Sequence, residues 1–301
     1  MSKLVVTGGA GFIGSHLVDR LIELGHQVVV IDNLLLGKKS FVNKKAKFIK
    51  ADIRDFNKIK KCFSGAEAIF HLAADPRLQV SIEDPITTHE INVTGTINIL
   101  EAARKTGVKK VIFSSSCAVY SDAVVLPINE SAFTSPLSPY GLHKLMGEQY
   151  CRLYSSLFGL ETICLRYFNV FGPRKLATGS YPMVIPIFLD QRQKGKSLTV
   201  VGDGTATRDY VHVSDVAKAN VLAWQSGIKD GSPVNIGTGV QISVNQIAKL
   251  VGGPIINLPP RLGEMKKIQA DNTKARELLG WSSTVKLEDG MKELKKEWGV
   301  E

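Results

Sequence analysis

The 301-residue sequence lacks the features of membrane proteins and of disulfide-stabilised secreted domains. No apolar run approaches the roughly 20 residues that a membrane-spanning helix needs, and glycines interrupt the N-terminal apolar stretch too early for a signal peptide. The four cysteines, Cys62, Cys117, Cys151 and Cys164, show no metal-ligand spacing and lie in apolar segments. We therefore expect reduced, packed cysteines in a cytoplasmic protein without a bound metal or a membrane partner.

The sequence also lacks the pattern of aromatic residues expected of a nucleic-acid surface. Residues 38–61, the basic segment, hold ten Lys and Arg against Asp52 and Asp55, within a chain of formal net charge +10. Such a charge could bind a polyanion, but no aromatic residues alternate with the basic ones for base stacking. The pattern therefore favours a solvated, lysine-rich edge of a sheet over a nucleic-acid site. Its positive field would still favour the capture of anionic nucleotides.

Short β-rich runs alternate with segments of helical periodicity over the first 170 residues. Strands are predicted at 3–7, 27–32, 47–52, 68–74, 109–116 and 161–170, and helices at 12–24, 89–106 and 139–158. The apolar runs are continuous rather than alternating, which indicates strands that are buried on both faces. The predicted fold class is therefore α/β, with a Rossmann-type doubly wound parallel sheet.

The texture of the sequence changes after Gly172-Pro173, where proline, glycine and short elements become more frequent. We place a domain boundary there, with a Rossmann domain over residues 1–172 and a smaller C-terminal α/β lobe over residues 173–301. The run "SPVNIG" (232–237) could be a strand that returns to the first domain.

The stretch "TGGAGFIG" places Gly8, Gly11 and Gly14 between a predicted strand and a predicted helix. A glycine triplet alone is a weak signal, but here Asp32 follows 18 residues after Gly14, at the end of the next strand. Small residues let backbone amides approach a pyrophosphate, and the helix N-terminus adds partial positive charge. Asp32 would accept hydrogen bonds from ribose hydroxyls and repel a 2′-phosphate, so NAD is favoured over NADP.

Tyr140 and Lys144 lie four residues apart in a predicted helix that Ser138 can cap. Residues at this spacing share one face, so the phenol and the ammonium can reach the same cleft. A tyrosine that acts as a base near neutrality needs its pKa of about 10 lowered by roughly three, a cost of ~4 kcal/mol. One cation about 4 Å away supplies ~4 kcal/mol at an effective dielectric constant near 20. Ser116, at the end of "VIFSSS", can donate to the reacting oxygen. Taken alone, the spacing is better explained by a surface helix that packs Tyr140 and exposes Lys144, and it is the glycine loop and Ser116 that favour the catalytic interpretation.

Motifs along essentially the whole chain resemble the extended short-chain dehydrogenase/reductase family, of the NAD-dependent epimerase/dehydratase type. Within it the chain most resembles the UDP-glucose 4-epimerases. The motifs occur in the family's order: "TGGAGFIGSHLVDRL", "VVVIDNL", "FHLAA", "INVTGT", "SPYGLHK", "LRYFNVFGPR", "GDGTATRDYVHVSDVAKA", "VNIGTG" and "RLGE".

The resemblance implies that NAD binds the first domain and a UDP-sugar binds the lobe. The catalytic residues that it implies are Ser116, Tyr140 and Lys144. The implied NAD-binding residues are Gly8, Gly11, Phe12, Ile13, Gly14, Asp32, Asn33, Asp52, Ile53, Leu72, Ala73, Ala74, Ser114, Tyr140, Lys144 and Tyr167. The implied substrate-binding residues are Ser116, Tyr140, Asn169, Arg208, Arg261 and Glu264. The planar donor fork of an arginine suits a diphosphate, although each arginine could also be an ordinary surface residue.

The two residues after Ser116 bear on the type of reaction. Relatives that dehydrate a nucleotide sugar carry an Asp-Glu pair there and decarboxylating relatives keep a glutamate, whereas this chain has Cys117 and Ala118. The resemblance then implies reversible C4 epimerisation, most directly of UDP-glucose and UDP-galactose. Tyr140 would remove the C4 hydroxyl proton while a hydride passes to NAD⁺, and the 4-keto sugar would turn before the hydride returns.

Several alternatives remain open from the sequence. The chain could be another nucleotide-sugar short-chain enzyme, such as a UDP-N-acetylhexosamine epimerase or a 4-reductase, or a catalytically silent scaffold that binds NAD or RNA. Ile268 falls where related epimerases set the bulk tolerated at C2 of the sugar, and its intermediate size does not decide between these substrates. The resemblance also implies a homodimer formed by the helices near 92–106 and 140–158.

Overall fold

The computed structural model describes residues 1–121, 125–175, 183–259 and 267–300. Its strands are β1 (Lys3–Thr7), β2 (Gln27–Asp32), β3 (Lys47–Lys50), β4 (Ala68–His71), β5 (Lys110–Ser116), β6 (Glu161–Tyr167), β7 (Asn169–Phe171), β8 (Leu198–Val201), β9 (Thr207–Arg208), β10 (Tyr210–His212), β11 (Asp230–Ile236), β12 (Ile242–Ser243) and β13 (Ile255–Leu258). Its α-helices are α1 (Phe12–Glu23), α2 (Phe56–Cys62), α3 (Leu78–Glu83), α4 (Pro85–His89), α5 (Gly95–Thr106), α6 (Pro139–Phe158), α7 (Val184–Gln193), α8 (Val213–Gln225), α9 (Val244–Val251), α10 (Thr273–Leu279) and α11 (Leu287–Trp298). A π-helical turn, Glu90–Thr94, joins α4 to α5.

Seven strands form one parallel sheet in the order β11-β6-β5-β4-β1-β2-β3. From β1 the chain adds β2 and β3 on one side, then returns to the other side of β1, where it adds β4, β5 and β6 in turn. The direction in which strands are added therefore reverses between β1 and β4. Open sheets of this kind bind their ligands at the carboxyl ends of the strands, where the order reverses. The predicted doubly wound parallel sheet is confirmed.

Helices cover both faces of this sheet. On one face α1 and α8 bury residues such as Leu17 and Val216 against the strands. On the other face α2, α5 and α6 contribute Ile59, Ile99 and Cys151 to a second hydrophobic cluster. Burial on both faces explains why the strand sequences read as continuous apolar runs.

The strand predicted over 161–170 is divided in two. β6 ends at Tyr167, and β7 pairs with β10 instead of continuing in the central sheet. The backbone changes partner at this point, because the amide of Phe168 donates to Ile236 O and the amide of Asn169 donates to Asp209 O. Since residues on both sides of the break are buried, the apolar pattern does not reveal it.

Beyond residue 183, α7, α9 and α11 enclose a third hydrophobic cluster that includes Phe188, Ile247 and Leu294. β11, by contrast, pairs with β6 at one edge of the central sheet. The domain boundary at residue 172 stays a prediction. Among the described residues, no helix is both long and apolar enough to cross a membrane.

Candidate active site

The loop after β1 contains glycines at positions where a side chain would collide with backbone. Gly8 has a φ of +74°, and a Cβ there would lie 2.7 Å from the backbone nitrogen of Ala73. A Cβ on Gly14 would lie 2.1 Å from the carbonyl oxygen of Gly8. Gly11 is the N-cap of α1 and brings no side chain to that helix end. The first-turn amides of α1 therefore keep their hydrogens for an anion, and the diphosphate of a dinucleotide fits this loop.

Asp32, at the end of β2, is positioned by two backbone amides. Its Oδ2 accepts from the amide of Ala10 at 3.0 Å, and its Oδ1 accepts from the amide of Leu34 at 2.8 Å. Burial raises the pKa of the Asp32 carboxyl, and both amides oppose that change. Each carboxylate oxygen retains a lone pair, so the hydroxyls of an adenosine ribose can donate to it.

The other predicted cofactor residues lie along the same carboxyl edge of the sheet. After β3, Asp52 accepts from Asn33 Nδ2 at 2.9 Å, and the guanidinium of Arg54 holds the pKa of Asp52 well below its usual range. Ile53 is buried against Gly95 of α5. The remaining members are placed as follows: Phe12 and Ile13 in the first turn of α1, Leu72, Ala73 and Ala74 after β4, Ser114 in β5, and Tyr167 at the end of β6.

The N-terminus of α6 is fixed by three neighbouring contacts. Ser138 caps the helix as predicted, its Oγ accepting from the amide of Gly141 at 3.2 Å. The amide of Tyr140 donates to Ser81 Oγ on α3 at 3.1 Å. A Cβ on Gly141 would lie 2.3 Å from the carbonyl oxygen of Ala118, so the helix closely approaches the segment after β5. These contacts set the position from which Tyr140 projects.

Lys144 lies one turn further along α6 and is only 5% exposed. Its Nζ donates to Ser114 O at 2.7 Å and lies 5.9 Å from the centroid of the Tyr140 ring. Burial lowers the pKa of Lys144 from 10.5 to about 8. The structure thus brings the phenol ring and the ammonium together beside the end of β5, as the i, i+4 spacing predicts.

Ser116 ends β5, and its Oγ accepts from the amide of Ala118 at 3.1 Å. Burial raises the pKa of the adjacent Cys117 thiol to about 12, and the nearby guanidinium of Arg208 opposes this change. Cys117 therefore stays a neutral thiol near pH 7, and Ala118 has no functional group. These two residues provide neither an acid nor a base beside Ser116.

Asn169 and Arg208 flank Asp209 at the edge of this site. Asn169 Nδ2 donates to Asp209 O at 3.2 Å, and Arg208 Nη1 donates to Thr207 O at 2.9 Å. The Asp209 carboxylate is buried and accepts from Thr238 and from the backbone amides of two further residues. The structure therefore places Asn169, on β7, and Arg208, on β9, next to the anchored Asp209.

Two predicted substrate residues, Arg261 and Glu264, lie outside the described residues. No group of three or more His, Cys, Asp or Glu side chains within the described ranges could hold a metal ion.

The sequence prediction missed Asn92, which lies in the π-helical turn. Its Oδ1 accepts from the amide of Asp75 at 2.7 Å, and its Nδ2 donates to Asp75 O at 2.9 Å. These two bonds hold the segment that follows Ala73 and Ala74, so Asn92 shapes the dinucleotide groove. A π-helical turn within a helix often marks a functional site, and the motif "INVTGT" is the sequence signal that could have identified it.

Comparison with known proteins gives consistent matches over nearly the whole chain. A model of the NAD dependent epimerase/dehydratase family matches residues 4–237. A Methanocaldococcus jannaschii protein provisionally named UDP-glucose 4-epimerase is 46% identical over 299 residues, 96% of each chain. The Thermotoga maritima UDP-glucose 4-epimerase solved with UDP-glucose matches with a TM-score of 0.93 and 41% identity, over 99% of this chain and 98% of that one. A Methanobrevibacter ruminantium UDP-N-acetylglucosamine 4-epimerase, solved with UDP-N-acetylmuramic acid, matches with a TM-score of 0.94 and 33% identity, over 99% of this chain and 98% of that one.

Proposed function

The chain belongs to the NAD-dependent epimerase/dehydratase family and is an NAD-dependent enzyme, and we propose that it epimerises UDP-glucose and UDP-galactose reversibly at C4. The observation that carries this proposal is that Tyr140 and Lys144 come together against β5, the strand that ends at Ser116, with no carboxylate in the two residues after Ser116. Such a site can move a proton and position a hydride transfer at one carbinol carbon. Elimination of water would need a further acid and base.

Bound NAD⁺, held by the glycine loop after β1 and by Asp32, would supply a reversible acceptor for the hydride of C4. The Lys144 ammonium stabilises the phenolate form of Tyr140, and this phenolate takes the proton of the C4 hydroxyl and becomes a neutral phenol. Ser116 Oγ donates a hydrogen bond to the C4 oxygen. After the sugar has turned, Tyr140 returns the proton to the C4 oxygen of the sugar whose C4 configuration is now inverted. The enzyme therefore ends in its starting state.

Turning of the sugar requires firm binding of the nucleotide and loose binding of the hexose. We assign Arg208 and Asn169 to the diphosphate, because Arg208 directly precedes the anchored Asp209 and Asn169, on β7, donates to Asp209 O. Arg261 and Glu264 belong to the same proposal as further substrate contacts. In this scheme the diphosphate supplies the binding energy and the hexose makes few contacts.

A substrate with deuterium at C4 tests the proposed chemistry. UDP-galactose labelled in this way should give UDP-glucose that keeps the deuterium, because a hydride held by the cofactor does not exchange with water. Loss of the label to solvent would contradict transient oxidation at C4. A 4-reductase would instead consume one reduced cofactor for each sugar converted.

UDP-N-acetylhexosamines are the second candidate substrates, favoured by the similarity to the UDP-N-acetylglucosamine 4-epimerase. Values of kcat/KM for UDP-galactose and UDP-N-acetylgalactosamine on one preparation separate the two. Our proposal predicts the higher value for UDP-galactose. The reverse order would change the assigned substrate and leave the assigned reaction in place.

The proposal includes a homodimer formed through α5 and α6. Four large apolar side chains of α6 are exposed in the single chain: Leu142 at 43%, Leu153 at 45%, Leu157 at 64% and Phe158 at 50%. A second copy of the chain would remove these side chains from water, at roughly 25 cal/mol for each Å² of apolar surface.

A further inference from the structure

A buried ion pair lies one helical turn beyond Lys144. The side chains of Arg166 and Glu148 are 4% and 5% exposed. Arg166 Nε donates to Glu148 Oε1 at 2.8 Å, and Arg166 Nη2 donates to Glu148 Oε2 at 2.6 Å. Well-packed apolar residues can often replace a buried pair at no cost in stability. Its burial alone therefore does not explain its presence.

The pair joins the elements that carry the active site. Glu148 is on α6, and its Oε1 also accepts the hydroxyl hydrogen of Ser115 at 2.5 Å. Ser115 stands on β5 between Ser114 and Ser116, two of the predicted site residues. Arg166 is the partner of Ser115 in the register between β5 and β6. One carboxylate thus connects the catalytic helix to both neighbouring strands.

Further bonds fix the guanidinium of Arg166. Its Nη1 donates to Tyr120 Oη at 2.8 Å and to Glu130 O at 3.3 Å. The hydroxyl of Tyr120 in turn donates to Asn235 Oδ1 on β11 at 2.8 Å. Because Arg166 is held from several sides, Glu148 has a rigid partner and a defined position.

We propose that the Glu148–Arg166 ion pair is a positioning device that holds the Lys144 turn of α6 against β5 and keeps a carboxylate close to the Lys144 ammonium. The inference rests on the function proposed above, in which a charged Lys144 supports proton transfer by Tyr140. Glu148 acts through Lys144 and is therefore a positioning residue.

Charges around Lys144 determine the direction of the expected effect. The titratable groups near its ammonium are His71 on β4, Tyr140, His143, Glu148 and Cys151 on α6, and Arg166 on β6. Burial lowers the pKa of His71 to about 3 and that of His143 to about 4, so both are neutral at pH 7. Burial also disfavours the charged form of Lys144, and Cys151 and then Glu148 oppose this. Removal of the carboxylate should therefore release the Lys144 proton at lower pH.

Glu148→Gln removes the charge while nearly keeping the shape. We expect the alkaline limb of the kcat profile for UDP-galactose to move down by about one pH unit with KM changed little, so that kcat falls about twofold at pH 7 and about fivefold at pH 8. The ¹³Cε resonance of Lys144, assigned with Lys144→Arg, should titrate at correspondingly lower pH in the absence of substrate. This second readout does not depend on turnover.

The double variant Glu148→Met with Arg166→Met separates positioning from folding. Two apolar side chains of similar length can fill the space without leaving a buried charge, so we expect a Tm close to that of the parent and a kcat at least tenfold lower. Full activity of this variant would overturn the inference. Asp215→Asn is the matched control, because Asp215 is a buried carboxylate bound by Thr284 and Val285. Asp215→Asn should lower the stability of the protein and leave the alkaline limb of the kcat profile at its parental pH.

The tests of the two proposals can be distinguished. If the parent protein does not convert UDP-galactose, the proposed function fails, and the NMR titration of Lys144 still tests the ion pair. If the parent is active and Glu148→Gln leaves both kcat and the Lys144 titration unchanged, the inference fails and the proposed function stands.

Discussion

At the scale of single residues, Tyr140 carries the proton transfer in the proposed reaction. Tyr140→Phe removes the hydroxyl and keeps a ring beside Lys144, so the cofactor loop and the fold should be unaffected. We expect kcat to fall by about 10²- to 10⁴-fold, the usual contribution of a general acid–base group, with little change in KM. The measurement is steady-state conversion of UDP-galactose.

Tyr150→Phe is the matched control, because Tyr150 lies on the same helix and packs against the hydrophobic cluster. It should keep the parental kcat. Equal losses in the two variants would show that the loss in Tyr140→Phe arises from the helix and not from the missing base.

Individual residues differ in how well the sequence predicts them. Gly8, Asp32 and Tyr140 stand in local motifs whose spacing has a direct physical meaning, so their places at the carboxyl edge of the sheet could be predicted. Asn92 and Glu148 act on backbone and side chains that are distant in sequence. The motif "INVTGT" could have identified Asn92 as a candidate, but nothing in the neighbouring sequence of either residue indicates its partners, which only the fold reveals.

At the scale of elements, the approach of α6 to β5 depends on Gly147. A Cβ at this position would lie 2.3 Å from Cζ of Phe113, whose ring is 1% exposed and cannot easily move. Gly147→Ala should therefore lower the free energy of unfolding by about 1–3 kcal/mol. It should also lower kcat, because the helix turn that carries Lys144 must shift. Denaturant unfolding and steady-state kinetics measure the two effects.

Gly227→Ala, outside α6, is the control for Gly147→Ala, since a Cβ at Gly227 would meet nothing within 4 Å. It should leave stability and kcat close to parental values. The account of the α6–β5 contact would be contradicted if Gly147→Ala behaved in the same way as the control.

Elements with local signals were predicted well. α6 begins after Ser138 and ends at Phe158, as its capping residue and periodicity indicate. The break between β6 and β7 was missed because it depends on the acceptor that each backbone amide finds, and these acceptors are Ile236 on β11 and Asp209, directly before β10. The helix predicted over 89–106 contains a π-helical turn at Glu90–Thr94, which a periodicity of 3.6 residues does not reveal.

At the scale of the whole molecule, the proposed homodimer depends on the exposed apolar face of α6. Leu157→Glu places a charge at a side chain that is 64% exposed in the single chain. We expect the single chain to tolerate the change and the dimer to dissociate, because a charge within an apolar interface would be desolvated. Sedimentation equilibrium should show the mass falling from two chains to one.

Val240→Glu is the control for this measurement, because Val240 is similarly exposed, at 53%, in a different part of the chain. It should leave the mass unchanged. A single-chain mass for the parent protein would contradict the dimer.

Acid stability is a second property of the whole molecule. The Thr96 hydroxyl donates to Asn92 O, so His71 Nε2 donates to Thr96 and His71 Nδ1 accepts from Thr7. The pKa of His71 is lowered from 6.5 to about 3 by burial. The unfolded chain therefore binds an extra proton as the pH falls below 6.5, and the folded state loses stability over that range. At about pH 4.5 the loss from this residue should be about 3 kcal/mol.

His71→Gln keeps one donor and one acceptor and removes the titration. Its free energy of unfolding, measured with denaturant at a series of pH values, should fall less steeply below pH 6.5. His143, whose pKa is lowered to about 4, should maintain part of the slope in this variant. An unchanged slope would show that His71 does not stay neutral in the folded protein.

The central claim is that the chain interconverts UDP-galactose and UDP-glucose with a cofactor that is regenerated in each turnover. The most direct measurement is incubation of the purified protein with UDP-galactose and no added NAD, followed by NMR of the anomeric protons. The account predicts that UDP-glucose signals appear and that the mixture approaches the same ratio from either sugar. UDP-galactose that stays unchanged, even after NAD is added, would contradict it.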